Sequence, residues 1–299
     1  MAVGLSQPEK LLCVNGVQLA TVIAGIKNSQ KPDLVLITFE PNTVCAGVFT
    51  RNAFCAAPVM VAKNHLAQAS PRALLINSGN ANAGTGHQGL GDAERSCALV
   101  ASEISCTEDE VLPFSTGVIG EDLPMEKIES GIKQLPARLE ADAWAQAAAG
   151  IMTTDTVAKA CSRSLQIDST EVTITGIAKG SGMICPDMAT MLAFIATDAS
   201  VDLEWLQHCL ESAVDVSFNS ITVDGDTSTN DACILAATGA SGSRMLDGEC
   251  DGSVEFQQAI NEVCIQLAQS IIRDGEGATK FVSIQVESAA NIDEAKKVA

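Results

Sequence analysis

Histidine and positive charge are both scarce in this sequence. Of 299 residues only three are histidine, His65, His87 and His208. A Ser-His-Asp or Cys-His site needs a histidine beside its nucleophile, and none of the contexts VAKNHLAQ, GTGHQG and WLQHCL supplies a nucleophile motif. His208 reads as a helix-face residue. His87, in a Gly-rich loop, is the most accessible of the three, but it has no catalytic context. Lys and Arg number 18 against 37 Asp and Glu, a formal net charge of −19, which argues against a nucleic-acid or anionic-membrane partner. No uninterrupted apolar run reaches the roughly 18 residues of a membrane-spanning helix. The opening MAVGLSQPEKLLCV lacks a basic stretch leading into a long apolar one, so no secretory signal is expected and the protein reads as cytoplasmic.

Metal-ligand spacing is missing too. Eleven cysteines are present, with no CxxC pair among them, and the three histidines are scattered, so zinc-ligand spacing is absent. The odd count and the absence of a signal point to reduced thiols used as small apolar residues. What is present is apolar bulk: 46% of residues are hydrophobic and 18% charged, with a mean hydropathy of +0.20. That balance excludes wholesale disorder and allows a large core.

Short β-like runs recur at Leu34–Phe39, 73–77, 111–114, 171–177, 191–197, 220–223 and 281–287. Helical spacing appears over 91–104, 125–135, 137–151 (broken from its predecessor at Pro136), 203–216 and 253–272. The last carries an apolar stripe of Val254, Phe256, Ile260, Val263, Leu267 and Ile271. The mixture predicts an α/β or α+β fold without repeats or linkers. The stretch 291–299 starts like a capped helix at Asn291 and stops at Ala299 without a Gly cap, an end that fits a natural terminus and fits a truncated sequence at least as well.

Two loops stand out. The segment 77–86 (NSGNANAGTG) follows a strand and offers backbone N–H groups to an anion. It matches neither GxxxxGK[ST] nor GxGxxG, so a tight loop of turn residues is the plainer reading. The segment 179–198 (KGSGMICPDMATMLAFIATD) runs from a Gly-rich loop into an apolar strand, with Thr190 at the join. If the Ala189–Thr190 bond were broken, Thr190 would own both a hydroxyl and an α-amine. That amine has a reference pKa of about 7.7–8.0, against about 10.4 for lysine. It can therefore serve as the base for its own hydroxyl, and such a nucleophile needs no histidine.

KGSGMICPDMATMLAFIATDA resembles the self-cleaving motif of the bifunctional ornithine acetyltransferase/glutamate N-acetyltransferase (ArgJ) family of arginine biosynthesis. Further family-like segments follow in family order: FTRN at 49–52, NSGNAN at 77–82, STGVIG at 115–120, MTTDT at 152–156, SFNS at 217–220, DGDTSTND at 224–231 and DGEGATK at 274–280. The family's chains continue past Ala299, where an Asp-Pro-Asn-Trp segment and further substrate contacts would lie. The resemblance implies an α/β fold of the autoprocessing N-terminal-nucleophile type, with mixed sheets and flanking helices. It implies cleavage between Ala189 and Thr190 into an α chain (1–189) and a β chain (190–299, its C-terminal part missing), assembled as two α and two β chains. Thr190 would be the nucleophile, taking acetyl from N-acetylornithine and passing it to glutamate, and Thr116 and Gly117 the oxyanion hole. Thr153, Lys179, Thr190 and Glu276 would bind substrate, with Lys179 suited to a carboxylate and Glu276 to an amine. No metal or bound cofactor is implied; bifunctional members also use acetyl-CoA as donor.

One departure is Asp187, where the family often has Asn. A negative charge there would slow the acyl shift or raise the pKa of the new amine. Cys185, in the same loop, reads as a filler. Two rival readings share the sequence: an autocleaving aminopeptidase or amidase of similar fold, in which water replaces glutamate, and an uncleaved scaffold without activity. The TTDT, KGSGM and DGEGA segments together favour the transferase.

Overall fold

In a computed structural model, described over residues 2–8, 10–184 and 191–299, two mixed sheets pack face to face between helices. The first sheet has the order β1 (Val17–Val22), β2 (Leu34–Phe39), β4 (Ala73–Asn80), β5 (Val111–Val118), with only β4 and β5 parallel. The second has the order β3 (Val44–Phe49), β9 (Ala232–Ala237), β8 (Leu192–Thr197), β7 (Thr170–Lys179), β6 (Lys159–Ile167), with only β8 and β9 parallel.

Strand periodicity distributes the core. In β2, Val35, Ile37 and Phe39 face the second sheet, while Leu34 and Leu36 face outward. In β8, Leu192, Phe194 and Ala196 face the first sheet, and Ala193 and Ile195 the opposite side. Both faces of these strands are buried, so they read as continuous apolar runs rather than alternating ones. Phe114 and Phe194 meet edge to face across the inter-sheet layer, ring centroids 5.0 Å apart. Trp144, Ala147 and Ala148 of α4 (Trp144–Gly150) join that layer.

Helices cover the outer faces. α1 (Ala57–Gln68), α2 (Gly86–Ile104) and α3 (Met125–Ile132) pack on the first sheet. α5 (Leu203–Asp215) and α6 (Ser253–Arg273) pack on the second. The Asp202 side chain caps α5 by accepting the Glu204 and Trp205 N–H groups. α7 (Ile292–Val298) begins as its sequence suggested, with Asn291 accepting the Glu294 N–H. Cys45, Cys97, Cys161, Cys209, Cys233 and Cys264 are buried, as small apolar fillers. Among the described residues no helix is long and apolar enough to cross a membrane.

Four local expectations are corrected. Residues 281–287 form no strand; Val282 and Ile284 are exposed, and the run has no ladder partner among the described residues. Residues 220–223 leave a 3-10 turn (Phe218–Ser220) for a loop. The helix expected over 137–151 is a 3-10 turn at Pro136–Arg138 followed by the seven-residue α4. Val254 sits in the first turn of α6 and is exposed, so the stripe begins at Phe256.

Candidate active site

The site forms where β5 and β7 end and β8 and β9 begin. Thr116 and Gly117 lie near the end of β5, beside a register irregularity at Gly79 and Asn80 of β4. Gly117 has φ +137°, and a Cβ there would come within 2.3 Å of the Gly79 carbonyl carbon and 2.6 Å of the Asn80 nitrogen. Only a residue without a side chain permits this backbone-on-backbone approach. The turn is braced from both sides. Ser115 Oγ donates to Asn77 Oδ1 at 2.5 Å, and Asn77 Nδ2 to the Asn80 carbonyl at 2.8 Å. Asn230 Nδ2 donates to the Ala81 and Ser115 carbonyls at 2.6 and 2.9 Å.

The side chains of the NSGNANAGTG loop are tied to one another and to neighbouring backbone. Asn82 donates to the Gly89 carbonyl, Thr85 to Asn82 Oδ1, and Asn80 to the Glu121 and Asp122 carbonyls. These bonds shape the backbone at the Gly79–Gly117 contact.

Lys179, the last residue of β7, is buried, and its Nζ donates to Thr116 Oγ1 at 3.0 Å. Burial lowers the pKa of this ammonium; the charges of Asp155, Asp231 and Glu276 oppose that shift and Lys159 adds to it. Since Lys179 donates to the Thr116 oxygen, the Thr116 hydroxyl keeps its own proton free to donate elsewhere.

A buried ionic cluster supports this arrangement. Lys159 is fully buried and pairs with Asp155 at 2.6 Å and Asp274 at 2.7 Å. Asp155 also accepts the Gly180 N–H at 2.8 Å and the Thr153 N–H at 3.0 Å, tying Thr153 to the residue after Lys179. Burial raises the Asp155 carboxyl, but Lys179 and Lys159 with these hydrogen bonds outweigh it and hold it at about 2. Asp274 accepts the Thr156 and Val157 N–H groups and the Thr156 hydroxyl. Two residues on, Glu276 donates its N–H to the Ser181 carbonyl at 2.6 Å, and its carboxylate lies against Gly182, where a Cβ would come within 2.8 Å of its Cδ. Lys27 donates to the Met152 carbonyl at 2.6 Å, and its pKa is lowered to about 8, chiefly by burial.

The structure thus gathers Thr116, Gly117, Thr153, Lys179 and Glu276 into one neighbourhood. Ala189 and Thr190, with Cys185 and Asp187, lie outside the described residues. Their neighbour Met191 does not: its N–H donates to Asp231 Oδ1 at 2.9 Å, and Leu192 pairs with both Lys179 and Ala232. Burial pushes the Asp231 carboxyl well above the usual range, against the Met191 and Ser228 hydrogen bonds and the charge of Lys179. The histidines are elsewhere: His65 Nδ1 pairs with the Val111 carbonyl, His208 stacks on Trp205, and His87 is exposed in the first turn of α2. Sequence reasoning gave no role to Lys27, Asp155, Lys159, Asp231 or Asp274. The acids sit inside motifs it quoted, but nothing local marks an Asp as buried.

A sequence model of the ArgJ family matches residues 18–299. The arginine biosynthesis bifunctional protein ArgJ of Methylococcus capsulatus is 52% identical over 289 residues, covering 97% of this chain and 71% of that protein. The solved ornithine acetyltransferase of Mycobacterium tuberculosis, complexed with ornithine, is 35% identical with a TM-score of 0.51, over 58% of this chain and 92% of that one. An L-aminopeptidase D-Ala-esterase/amidase from Ochrobactrum anthropi, described as a variant of the Ntn-hydrolase fold, aligns over 90% of this chain with a TM-score of 0.53. At 11% identity it shows the fold alone. Architecture and sequence agree: this α/β chain has the N-terminal-nucleophile type of fold and belongs to the ArgJ family.

Proposed function

We propose that this acyltransferase moves an acetyl group from N-acetylornithine to glutamate through an acetyl-threonine at Thr190, exposed by self-cleavage between Ala189 and Thr190. The observation that carries the reading is the convergence of three elements. The Thr116–Gly117 turn, the buried Lys179 bonded to it, and the anchored Met191, one residue after Thr190 and one before β8, all meet at one place.

In this reading the Thr190 amine takes the hydroxyl proton as Oγ attacks the acetyl carbonyl. The Thr116 hydroxyl and the Gly117 N–H donate to the oxyanion, ornithine leaves, and glutamate attacks the ester. Lys179, with donors left beyond the one given to Thr116, binds a substrate carboxylate, and Glu276 an amine. Thr153 completes the contact from the loop held by Asp155. The protein works in the cytoplasm, as two α and two β chains and without a bound cofactor.

The test is acetyl transfer by the purified full-length protein. N-acetylornithine alone should leave one acetyl group on the fragment that begins at Thr190, and glutamate should discharge it as N-acetylglutamate. Transfer without any acetylated fragment, or discharge to water at the rate of discharge to glutamate, would overturn the reading.

A further inference from the structure

Both flanks of the junction are fastened to one loop. Upstream, the Asp224 carboxylate accepts the Met183 N–H at 2.6 Å and the Ile184 N–H at 2.8 Å. The Ile184 carbonyl in turn accepts from the Val223 N–H at 2.9 Å and the Thr222 hydroxyl at 3.0 Å. Met183 has φ +60°, a conformation its side chain disfavours and one that needs such external support. Downstream, Asp231 accepts the Met191 N–H at 2.9 Å, and the Met191 carbonyl accepts the Ala232 N–H at 3.2 Å. The two acids terminate the same stretch, 224–231 (DGDTSTND). They differ in setting: Asp224 is exposed and Asp231 is buried.

We propose that this loop is a brace for self-cleavage, with Asp224 positioning the upstream, carbonyl side of the junction and Asp231 the downstream, nucleophile side. The proposal rests on the self-cleavage reading of Thr190. In that step Thr190 Oγ adds to the Ala189 carbonyl carbon and the Ala189–Thr190 C–N bond breaks. The hydroxyl proton ends on the new amine, and water hydrolyses the ester to the Ala189 carboxylic acid and the free Thr190 hydroxyl. Pinning both ends of the short span between Ile184 and Met191 reduces the conformations that the hydroxyl and carbonyl must search before they meet.

The two anchors then part in function. Once the bond is cut, the Asp224 side holds a spent C-terminus, whereas the Asp231 side stays attached to the nucleophile. Asp224 therefore matters once per molecule, and Asp231 in every turnover. A loop that merely held the fold together would show no such division.

The experiment follows freshly translated full-length precursor by denaturing mass spectrometry, then assays the processed protein for acetyl transfer. Asp224→Ala should cleave about tenfold more slowly or worse, yet turn over like the parent once cleaved. Asp231→Ala should lose about tenfold in both cleavage and kcat with KM unchanged. Asp231→Asn, which keeps an oxygen to accept the Met191 N–H, should restore both to within about threefold of the parent. If Asp231→Ala does not fold, Asp224→Ala and Asp231→Asn still decide the matter. Parental cleavage rates in Asp224→Ala, an equal loss of kcat and cleavage there, or failure of Asp231→Asn to cleave, would overturn the brace. A Thr190→Ala precursor that still splits would instead overturn the self-cleavage reading itself.

Discussion

Replacing Thr116 by valine removes one hydroxyl and almost no volume. In the structure that oxygen accepts from Lys179 Nζ at 3.0 Å, which leaves the hydroxyl proton for an oxyanion. Contacts of this kind strengthen as charge develops, so their loss falls on the transition state rather than on bound substrate. Removing one oxyanion donor costs on the order of 10²–10³ in kcat, about 2.7–4 kcal/mol. A smaller stability loss of about 1–3 kcal/mol accompanies it, because buried Lys179 is left without this acceptor. Steady-state kinetics of Thr116→Val on fully processed protein should show the drop in kcat with KM little changed. Thr116→Ser, which keeps the hydroxyl, should recover most of the rate. Because the same turn would assist self-cleavage, the processed fraction must be measured first. A Thr116→Val protein with parental kcat and a raised KM would refute the reasoning and make the turn a substrate-binding element.

Gly117→Ala should be worse than a hydroxyl loss, since its Cβ would meet the Gly79 carbonyl carbon at 2.3 Å at a φ of +137°. Strain at such a φ costs about 1–3 kcal/mol, and overpacking about as much again. Thermal unfolding should show the lowered melting temperature, and an oxyanion turn displaced by about 1 Å should lose about 10²-fold in kcat. Asp155→Asn tests the buried cluster through pH. The Asp155 pKa is depressed from 3.8 to about 2, so its stabilisation is complete above the unfolded value and disappears as pH falls through the folded one. The gap corresponds to about 2 kcal/mol. Denaturant unfolding should show that difference between parent and variant near neutral pH, narrowing towards about pH 2; a difference that does not change with pH would contradict the ionic account.

The sequence was most readable where one element's pattern decides its place. α5 and α6 follow their apolar spacing, and β2, β7 and β8 their apolar runs. β3 (VCAGVF) and β9 (ACILAA) carry no clear strand pattern of their own, because small residues dilute it. Both owe their form to partners far away, Val44 pairing with Ala237 and Phe49 with Ala232. β6 (KACSRSLQI) is an edge strand with a polar face, and α1 lacks a single apolar stripe because it is apolar on more than one side, with Val61 and Ala62 in different cores. The opposite error, a strand over 281–287, came from local β-propensity that no neighbouring ladder uses. Thr116, Gly117 and Lys179 could be singled out only through family likeness, because the contact joining Thr116 to Lys179 spans 63 positions. The Lys159 pair with Asp274 spans 115, and nothing in the neighbouring residues of either announces it.

The central claim is that Thr190 frees itself and then carries the acetyl group. Its most direct test is the intact mass, under denaturing conditions, of full-length wild-type protein and Thr190→Ala, each purified without contact with added protease. The account predicts two wild-type fragments, divided between Ala189 and Thr190, whose masses sum to the precursor plus one water, and a single uncut Thr190→Ala chain. A wild-type protein that remains whole, or a Thr190→Ala protein that splits at the same bond, would contradict it.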